Sequence, residues 1–395
     1  MKKIIFSAIA MVVASTTLFA QDQVKVGAYD LKKVVDNKTT SVKNQASSGT
    51  CWAYGTIAMI ESDIIKMKGD QFADLDLSEL YVARNSYYDR FVKYVRLHGN
   101  INFAEGGSFM DVTDAIDRYG IVPQEVYQGL NYGYDMNVFG EVWEALQGYA
   151  QAIIKNKNSR LSTAWQAGFN AILDAYFGVC PKTFMYKGKE YTPKSFADYL
   201  GFKKSDYITF CSVTHVPYGS KHIMELPDNW IWGESVNVPM KELSVIQEEV
   251  LRNGYTTGWD ADVSTSGFSH GEGLCVFTAT KAEDVPGNEM DKWQKMQKDG
   301  KTEYTAVERE VTTEKRQLWY DNYLTEDDHC MQISGIYKDQ NGGTFYKVKN
   351  SWAADSNEFG GFFYTSKAYF DAKTLYIMLN KNSLSDSTKK KYGIE

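Results

Sequence analysis

The chain of 395 residues predicts an α+β fold, with a helical lobe, an antiparallel β-barrel lobe and a cleft between them. A helical pattern of apolar residues follows Cys51, and two runs typical of strands lie around His329 and Asn350. The 43% hydrophobic and 14% aromatic residues are enough for a sizeable core. The chain has only 7 prolines and no low-complexity stretch, so we expect both lobes to belong to one body without long linkers.

The helical lobe is predicted from the residues that follow Cys51. Apolar side chains recur there at steps of three and four, at Ile57, Ile60, Ile64 and Met67. Gly69, after Lys66 and Lys68, is a typical C-terminal stop. Cys51 is therefore expected in the first turn of a helix, where the partial positive charge of the N-terminus lowers the pKa of a thiol.

The residues before Cys51 complete a candidate nucleophile site. The side-chain amide of Gln45 and the backbone N–H of Cys51 could both donate to the oxyanion of a tetrahedral intermediate, a role worth roughly 3 kcal/mol of barrier. Gly49 lets the backbone approach a substrate, since it has no Cβ. The helix cap is expected from one of three hydroxyl side chains, Ser47, Ser48 and Thr50.

The β lobe is predicted around His329, one of five histidines. Apolar residues follow it at Met331, Ile333 and Ile336, and a second run from Phe345 to Val348 leads into Asn350. Two adjacent strands would bring the Asn350 carboxamide to one ring nitrogen of His329 and leave the other nitrogen facing the thiol. Asp328 and Cys330 are expected on the opposite face of the strand, Asp328 as a solvated charge.

The order Gln45, Cys51, His329, Asn350 resembles that of the papain-like cysteine peptidases. The run from Asn44 to Trp52 is most similar to the Asn-Gln-x-Ser-Ser-Gly-x-Cys-Trp run of the bleomycin hydrolase or aminopeptidase C branch. The resemblance spans nearly the whole mature chain. It implies that Gln45 is the oxyanion donor, Cys51 the nucleophile, His329 the general base and acid, and Asn350 the residue that orients the imidazole.

The same resemblance implies the substrate-binding residues. Gly106 and Gly107 match the strand that hydrogen-bonds substrate backbone, and Trp352 matches the indole that covers the Asn–His hydrogen bond. It further implies a papain-like two-lobe fold, peptide substrates, a homo-oligomer and aminopeptidase activity. In that branch the C-terminus lies in the cleft, whereas this chain ends in a lysine-rich segment, 389–395, instead of a hydrophobic tail.

The distance along the chain between Cys51 and His329 predicts an insertion. It is about twice the roughly 130–150 positions typical of papain-type enzymes. We place a large, mainly helical insertion at about 127–253, because helical patterns run from Val142 to Ile154 and from Ser162 to Phe177. The segment 255–277 is expected to be rich in strands.

The N-terminus predicts export. Lys2 and Lys3 precede an apolar run from Ile4 to Ala14, and residues 1–20 are typical of a bacterial signal peptide, which leaves a peptidase domain at 21–395. The apolar run is too short to span a bilayer, and no comparable run follows it. We therefore expect a periplasmic or extracellular protein without a membrane span.

Charge and cysteine content exclude several function classes. The net charge is −7, so the charge pattern does not suggest nucleic-acid binding. Five cysteines are too few for a disulfide scaffold, and apart from Cys51 they are expected to be structural, either paired or buried. Metal-ligand and phosphate-loop motifs are absent from the sequence, so neither a metal nor a cofactor is predicted.

Three alternatives to an aminopeptidase stay open. A papain-like endopeptidase would use the same residues. A transglutaminase-like acyltransferase also has Gly-x-Cys-Trp and a later His, but its third member is typically Asp, so Asn350 and Gln45 favour the peptidase. An inactive peptide-binding protein is the third, although such proteins usually lack the Cys or the His.

Overall fold

The computed structural model describes residues 23–158, 160–265, 267–277 and 308–395; the predicted signal peptide lies outside them. The helices in these ranges are α1 Cys51–Lys68, α2 Glu79–Arg96, α3 Phe109–Tyr119, α4 Gly140–Ile154, α5 Trp165–Phe177, α6 Pro193–Leu200, α7 Met240–Arg252, α8 Thr313–Asp321, α9 Lys367–Lys373 and α10 Asp386–Tyr392. None of these helices is long and apolar enough to cross a membrane.

The strands are β1 Gln23–Val26, β2 Tyr29–Asp36, β3 Phe184–Tyr186, β4 Lys189–Tyr191, β5 Tyr207–Cys211, β6 Lys221–Ile223, β7 Glu234–Asn237, β8 Thr257–Ala261, β9 Phe268–Ser269, β10 Leu274–Cys275, β11 His329–Lys338, β12 Thr344–Lys349, β13 Phe362–Ser366 and β14 Thr374–Asn380. All except β3 and β4 belong to one sheet in the order β6-β7-β5-β14-β8-β11-β12-β13-β10-β9, with β1 and β2 joined through β11. In the described residues this order does not close on itself, so the barrel stays a prediction.

Helix α1 packs against β11, and this contact joins the helical part of the molecule to the sheet. Gln332 on β11 donates from Nε2 to the Ala58 carbonyl (3.1 Å) and the Ser62 hydroxyl (2.7 Å) of α1. The next residue on each side, Met331 and Ile333, is buried in a second core on the other face of the sheet. The alternation along β11 therefore places one face towards the helix that begins at Cys51.

The segment predicted as an insertion, 127–253, is mixed in structure. Helices α4 and α5 lie where the two helical patterns predict them, and α6 and α7 follow. Strands β5, β6 and β7 of the same segment belong to the central sheet, however. The chain thus returns to the sheet before residue 253, and the limits of the insertion stay a prediction. Strands β8, β9 and β10 lie in the segment expected to be rich in strands.

Candidate active site

Cys51 is the first residue of α1, as the sequence predicts. The expected side-chain cap is wrong: Thr50 occupies the N-cap position, but its side chain caps no backbone N–H. Its hydroxyl instead makes a 2.6 Å hydrogen bond with the Ser48 hydroxyl. Within the described residues the Cys51 N–H has no acceptor, so it points from the helix N-terminus as a donor for a bound group.

The structure adds a second reason for Gly49 to the predicted one, which stays a prediction. A Cβ there would stand 2.7 Å from the Cβ of Glu105, so the side chain of Glu105 already excludes it. Glu105 accepts a hydrogen bond from the Gly49 N–H (2.6 Å), and its carbonyl accepts one from the Trp52 indole (3.0 Å). These contacts hold the turn before the nucleophile in place.

His329 and Asn350 meet because β11 and β12 are antiparallel neighbours. His329 begins β11, Asn350 directly follows β12, and both side chains are buried. His329 Nε2 lies 2.7 Å from Asn350 Oδ1, which also accepts the Ser351 N–H at 2.8 Å. An oxygen that already accepts a backbone N–H is the expected partner of a protonated Nε2, so Nδ1 is the ring nitrogen left for Cys51.

Cys51 and His329 shift each other's pKa: the thiol pKa is lowered and the imidazole pKa is raised. The pKa of Cys51 is lowered well below its usual range: the largest cause is a hydrogen bond from the Cys330 side chain, burial acts in the opposite direction, and His329 adds a hydrogen bond and positive charge. Burial would lower the pKa of His329, but its hydrogen bond to Cys51, the negative charge there and Asn350 together raise it. The pair is thus poised as thiolate and imidazolium.

One prediction about the neighbours of His329 is wrong. Cys330 does not face away from the site; it is buried beside Cys51, and burial keeps its own pKa well above the usual range, so it stays a thiol that can donate. Asp328 is exposed, as predicted, and it also accepts hydrogen bonds. Its Oδ2 accepts the backbone N–H groups of Val263 (3.0 Å) and Ser264 (2.9 Å), and burial followed by the charge of Asp262 raises its pKa to about 6.

The Gln45 carboxamide is held at both ends. Its Nε2 donates to the Ser48 carbonyl (2.8 Å), and its Oε1 accepts the Ser351 hydroxyl (2.6 Å). The Gln45 N–H also donates to the Ser351 carbonyl (2.8 Å), which ties the loop before α1 to the residue after Asn350. One of the two Nε2 protons has no partner in the described part of the chain, so the fixed carboxamide keeps a free donor in the loop before α1.

The three residues predicted to bind substrate lie in different settings. Trp352 stacks on the His329 ring, with ring centroids 4.8 Å apart and planes at 27°. A Cβ at Gly107 would stand 2.9 Å from the Trp52 indole, and one at Gly106 would overlap the Asp228 carboxylate. Asp228 comes from the segment between β6 and β7 and also accepts a hydrogen bond from Asn102 (2.8 Å).

Sequence reasoning missed several residues that contact this site. Ser351 follows Asn350 directly and anchors Gln45, and Cys330 follows His329, so chain proximity was an available signal. Asp228 and His270 have no such signal. His270 Nδ1 lies 3.1 Å from Asn350 Nδ2, although 80 positions separate the two residues in the chain.

One group in the described ranges has the side chains of a metal site: His215, His222 and Glu225 offer ligand atoms within 4.8 Å of one another. The hydrogen bonds argue against this use. Gln317 Nε2 donates to His215 Nδ1 (3.1 Å), while Gln317 Oε1 accepts the Thr214 N–H (2.6 Å). Neutral His215 therefore carries its proton on Nε2, the nitrogen that faces Glu225 at 3.4 Å.

All five cysteines are free thiols.

Comparisons with known proteins agree with this arrangement. The profile of the Peptidase C1-like family matches residues 2–395. Aminopeptidase C of Lactobacillus delbrueckii subsp. lactis is 23% identical over 415 aligned residues, which cover 91% of this chain and 83% of that protein. Cysteine proteinase 1, mitochondrial, of Saccharomyces cerevisiae is 21% identical, covering 91% and 78%. The crystal structure of PepW from Lactobacillus rhamnosis superposes with a TM-score of 0.66 at 19% identity, covering 92% and 84%, and supports the papain-like fold.

Proposed function

This chain belongs to the Peptidase C1-like family and is a cysteine peptidase, and on that premise we propose that it is an aminopeptidase acting through Cys51, His329 and Asn350. The contact that carries the mechanism is the 2.7 Å hydrogen bond from His329 Nε2 to Asn350 Oδ1, because it leaves Nδ1 for the thiol. The lowered pKa of Cys51 supports a reactive thiolate at neutral pH.

The proposed reaction has two halves. The Cys51 thiolate attacks the peptide carbonyl carbon, and the resulting oxyanion accepts hydrogen bonds from Gln45 Nε2 and the Cys51 N–H. His329 then gives its proton to the leaving amine, and the C–N bond breaks to leave a thioester. Neutral His329 next takes a proton from water, whose oxygen attacks the thioester and releases the free acid and the thiolate.

Restriction to the N-terminal residue is supported by the position of Asp228. Its carboxylate lies against Gly106, so it occupies space beside the segment that is predicted to bind the substrate backbone. The pKa of Asp228 is raised by burial and by the charge of the Cys51 thiolate, against the effect of Arg90, so the carboxylate lies within electrostatic range of the nucleophile. A substrate α-ammonium group would add a second positive charge beside Arg90 to this half-buried carboxylate, whereas a blocked terminus would bring none.

The segment that carries Asp228 is anchored. Lys93 of α2 donates to the Trp230 carbonyl (2.7 Å) and its Nζ lies 3.5 Å from the centre of the Trp232 ring, while the Asn229 side chain accepts the Gly233 N–H (2.8 Å). A fixed segment can exclude chain that extends past the first residue. This supports an exopeptidase over an endopeptidase.

The C-terminal tail is a poor candidate for the same task. Helix α10 and the residues after it pack against the second core, not against the core that contains α1: the Tyr392 ring lies 5.8 Å from Phe210, and the Ser385 N–H donates to Glu249 of α7 (2.6 Å). Deleting 392–395 is therefore expected to leave the cleavage pattern unchanged. Broader cleavage after this deletion would show that the tail restricts cleavage to the N-terminal residue.

Product mapping tests the proposal. We expect the wild type to release single residues from a peptide with a free N-terminus and to leave its N-acetylated copy intact. Cys51→Ala should abolish both cleavage and labelling by an epoxysuccinyl inhibitor, and Asp228→Asn should lower the free-to-blocked preference. Internal cuts in the acetylated peptide would favour the endopeptidase. A wild type that is neither labelled nor active under reducing conditions would favour the inactive binding protein. Transfer of an acyl group to an amine without hydrolysis would favour the acyltransferase.

Export and assembly remain proposals. We propose that residues 1–20 direct the chain to the periplasm or the medium and are then removed. N-terminal sequencing of the protein recovered from each fraction of a bacterial host tests this, and an intact N-terminus in the cytoplasm would contradict it. A homo-oligomer is proposed from the family resemblance, and light scattering of the mature protein measures its mass directly.

A further inference from the structure

His270 forms a second histidine contact behind the Asn350 carboxamide. His329 Nε2 bonds Asn350 Oδ1 on one side, and Asn350 Nδ2 lies 3.1 Å from His270 Nδ1 on the other. His270 Nε2 lies 2.7 Å from the Ser356 hydroxyl, which donates to the Ala353 carbonyl at 2.6 Å. A continuous row of hydrogen bonds therefore runs from the ring of His329 to a backbone carbonyl in the loop after β12.

The donors and acceptors in this row have only one consistent arrangement. Asn350 Oδ1 accepts the Ser351 N–H, so the carboxamide nitrogen must face His270 and donate to it. The Ser356 proton is used on the Ala353 carbonyl, so its oxygen must accept from His270. Both conditions require neutral His270 with its proton on Nε2 and a lone pair on Nδ1.

Packing and backbone contacts hold the His270 ring in place. Its centroid lies 4.9 Å from that of Trp352, nearly edge-on, and Trp352 also stacks on His329. Phe363 packs at 6.1 Å. The His270 carbonyl accepts the Gly273 N–H (3.0 Å) and the Asn357 side chain (2.9 Å). The ring is thus fixed by contacts that do not depend on the hydrogen bond to Asn350.

We propose that His270 is a positioning residue: in its neutral form it holds the Asn350 carboxamide in the orientation that aligns His329 with Cys51. This inference rests on the proposed Cys51 peptidase mechanism and adds to it a residue outside the Gln, Cys, His, Asn order. Among the described residues, no hydrogen bond or ring contact joins His270 to Cys51.

The proposal implies a pH dependence. A proton on His270 Nδ1 would face the Asn350 amide protons, so the carboxamide would lose its acceptor and its fixed orientation. The groups that face the ring are Asn350, Ser356, Trp352 and Phe363, and within the described ranges the charge that shifts its pKa is that of His329. Burial and then the positive charge of His329 lower the pKa of His270, so protonation is expected only on the acid side of the activity profile.

The tautomer can be measured without any activity. Long-range proton–nitrogen NMR of the mature chain labelled with ¹⁵N-histidine distinguishes the two neutral tautomers, and His270→Phe identifies the His270 signals among the five histidines. We expect the Nε2–H tautomer at neutral pH. Ser356→Ala should shift the Nε2 signal of His270, because it removes the partner of the Nε2 proton. An Nδ1–H tautomer would overturn the proposal whether or not the protein cleaves peptides.

Kinetics test the consequence for His329. In His270→Phe, which keeps an aromatic ring but removes the acceptor, kcat is expected to fall about tenfold with little change in KM, the loss of roughly one hydrogen bond. His270→Asn keeps an acceptor near the Nδ1 position and should recover most of kcat while losing the acid limb of the pH profile. His222→Phe is the matched control, since His222 lies outside the site, and it should leave both unchanged.

The outcomes separate this proposal from the proposed function. The rate of Cys51 alkylation by iodoacetamide depends on His329 and needs no substrate, so it is followed against pH in the same variants. A wild type without peptidase activity, but with an alkylation profile that His270→Phe alters, would reject the function and keep the role of His270. Unchanged kcat and an unchanged alkylation profile in both His270→Phe and Ser356→Ala would reject that role.

Discussion

The oxyanion role of Gln45 leads to a prediction that separates catalysis from stability. Gln45→Ala removes the Nε2 donor and two hydrogen bonds of the folded state, to the Ser48 carbonyl (2.8 Å) and from the Ser351 hydroxyl (2.6 Å). At about 1 kcal/mol for each bond, the free energy of unfolding should fall by roughly 2 kcal/mol. Loss of an oxyanion donor should lower kcat by about 10²–10³, which is roughly 2.7–4 kcal/mol, with little change in KM.

Ser351→Ala gives the graded comparison. It keeps the Gln45 donor and its bond to Ser48 but releases Oε1, so the carboxamide is less well fixed. We expect transition-state stabilisation to fall by about 1 kcal/mol, which lowers kcat roughly fivefold. Gln247→Ala is the control for the loss of a buried glutamine. Gln247 lies on α7, away from the site, and its Oε1 accepts the Thr257 hydroxyl (2.9 Å). This variant should lower the free energy of unfolding and leave kcat unchanged.

The assay is release of a fluorescent amine from an aminoacyl amide, at a temperature where urea titration shows every variant to be folded. Substrate is varied to separate kcat from KM. If kcat of Gln45→Ala stays within twofold of the wild type, Gln45 is not an oxyanion donor. If Ser351→Ala loses as much kcat as Gln45→Ala, the effect belongs to the loop and not to the donated proton.

Three further predictions concern packing and charge. Gly55→Ala would place a Cβ 3.0 Å from the Cys330 carbonyl, so α1 must move from β11; we expect about 1–3 kcal/mol lower stability and a lower kcat/KM, and unchanged urea midpoints would contradict this. Arg316→Met leaves three backbone carbonyls without the buried guanidinium, so unfolding in urea should show a loss of roughly 3 kcal/mol or more, whereas a loss below 1 kcal/mol would show that water replaces it. Alkylation of Cys51, followed by mass spectrometry, should stay fast well below pH 8, because the pKa of its thiol is lowered. His329→Ala should slow this alkylation at least about tenfold at pH 6. Equal rates in the two proteins would show that His329 does not stabilise the thiolate.

Local patterns were sufficient for the elements that carry the nucleophile and its base. Helix α1 begins at Cys51 and ends before Gly69 because its apolar spacing and its stop signal are properties of neighbouring residues. The meeting of His329 and Asn350 follows from two strands that are close in the chain and pair as a hairpin. Both depend on contacts of short sequence separation, which patterns record well.

The same patterns misjudged features that depend on packing. The capping hydroxyls bond each other because Glu105 and Gln45 already hold the turn, and Cys330 faces Cys51 because β11 lies across α1. The limits of the insertion stay a prediction: the segment 127–253 contributes strands to the central sheet, and a helical pattern does not report which sheet the next strand joins.

By itself the sequence determined which residue types stand in the order Gln, Cys, His and Asn, and which short elements present them. Only the tertiary structure decided that Asp228 lies against Gly106 and that His270 stands behind Asn350. Those contacts join side chains from distant segments through sheet pairing and burial. A short pattern carries no record of such contacts, because their free energy is gained only when the whole sheet and both cores have formed.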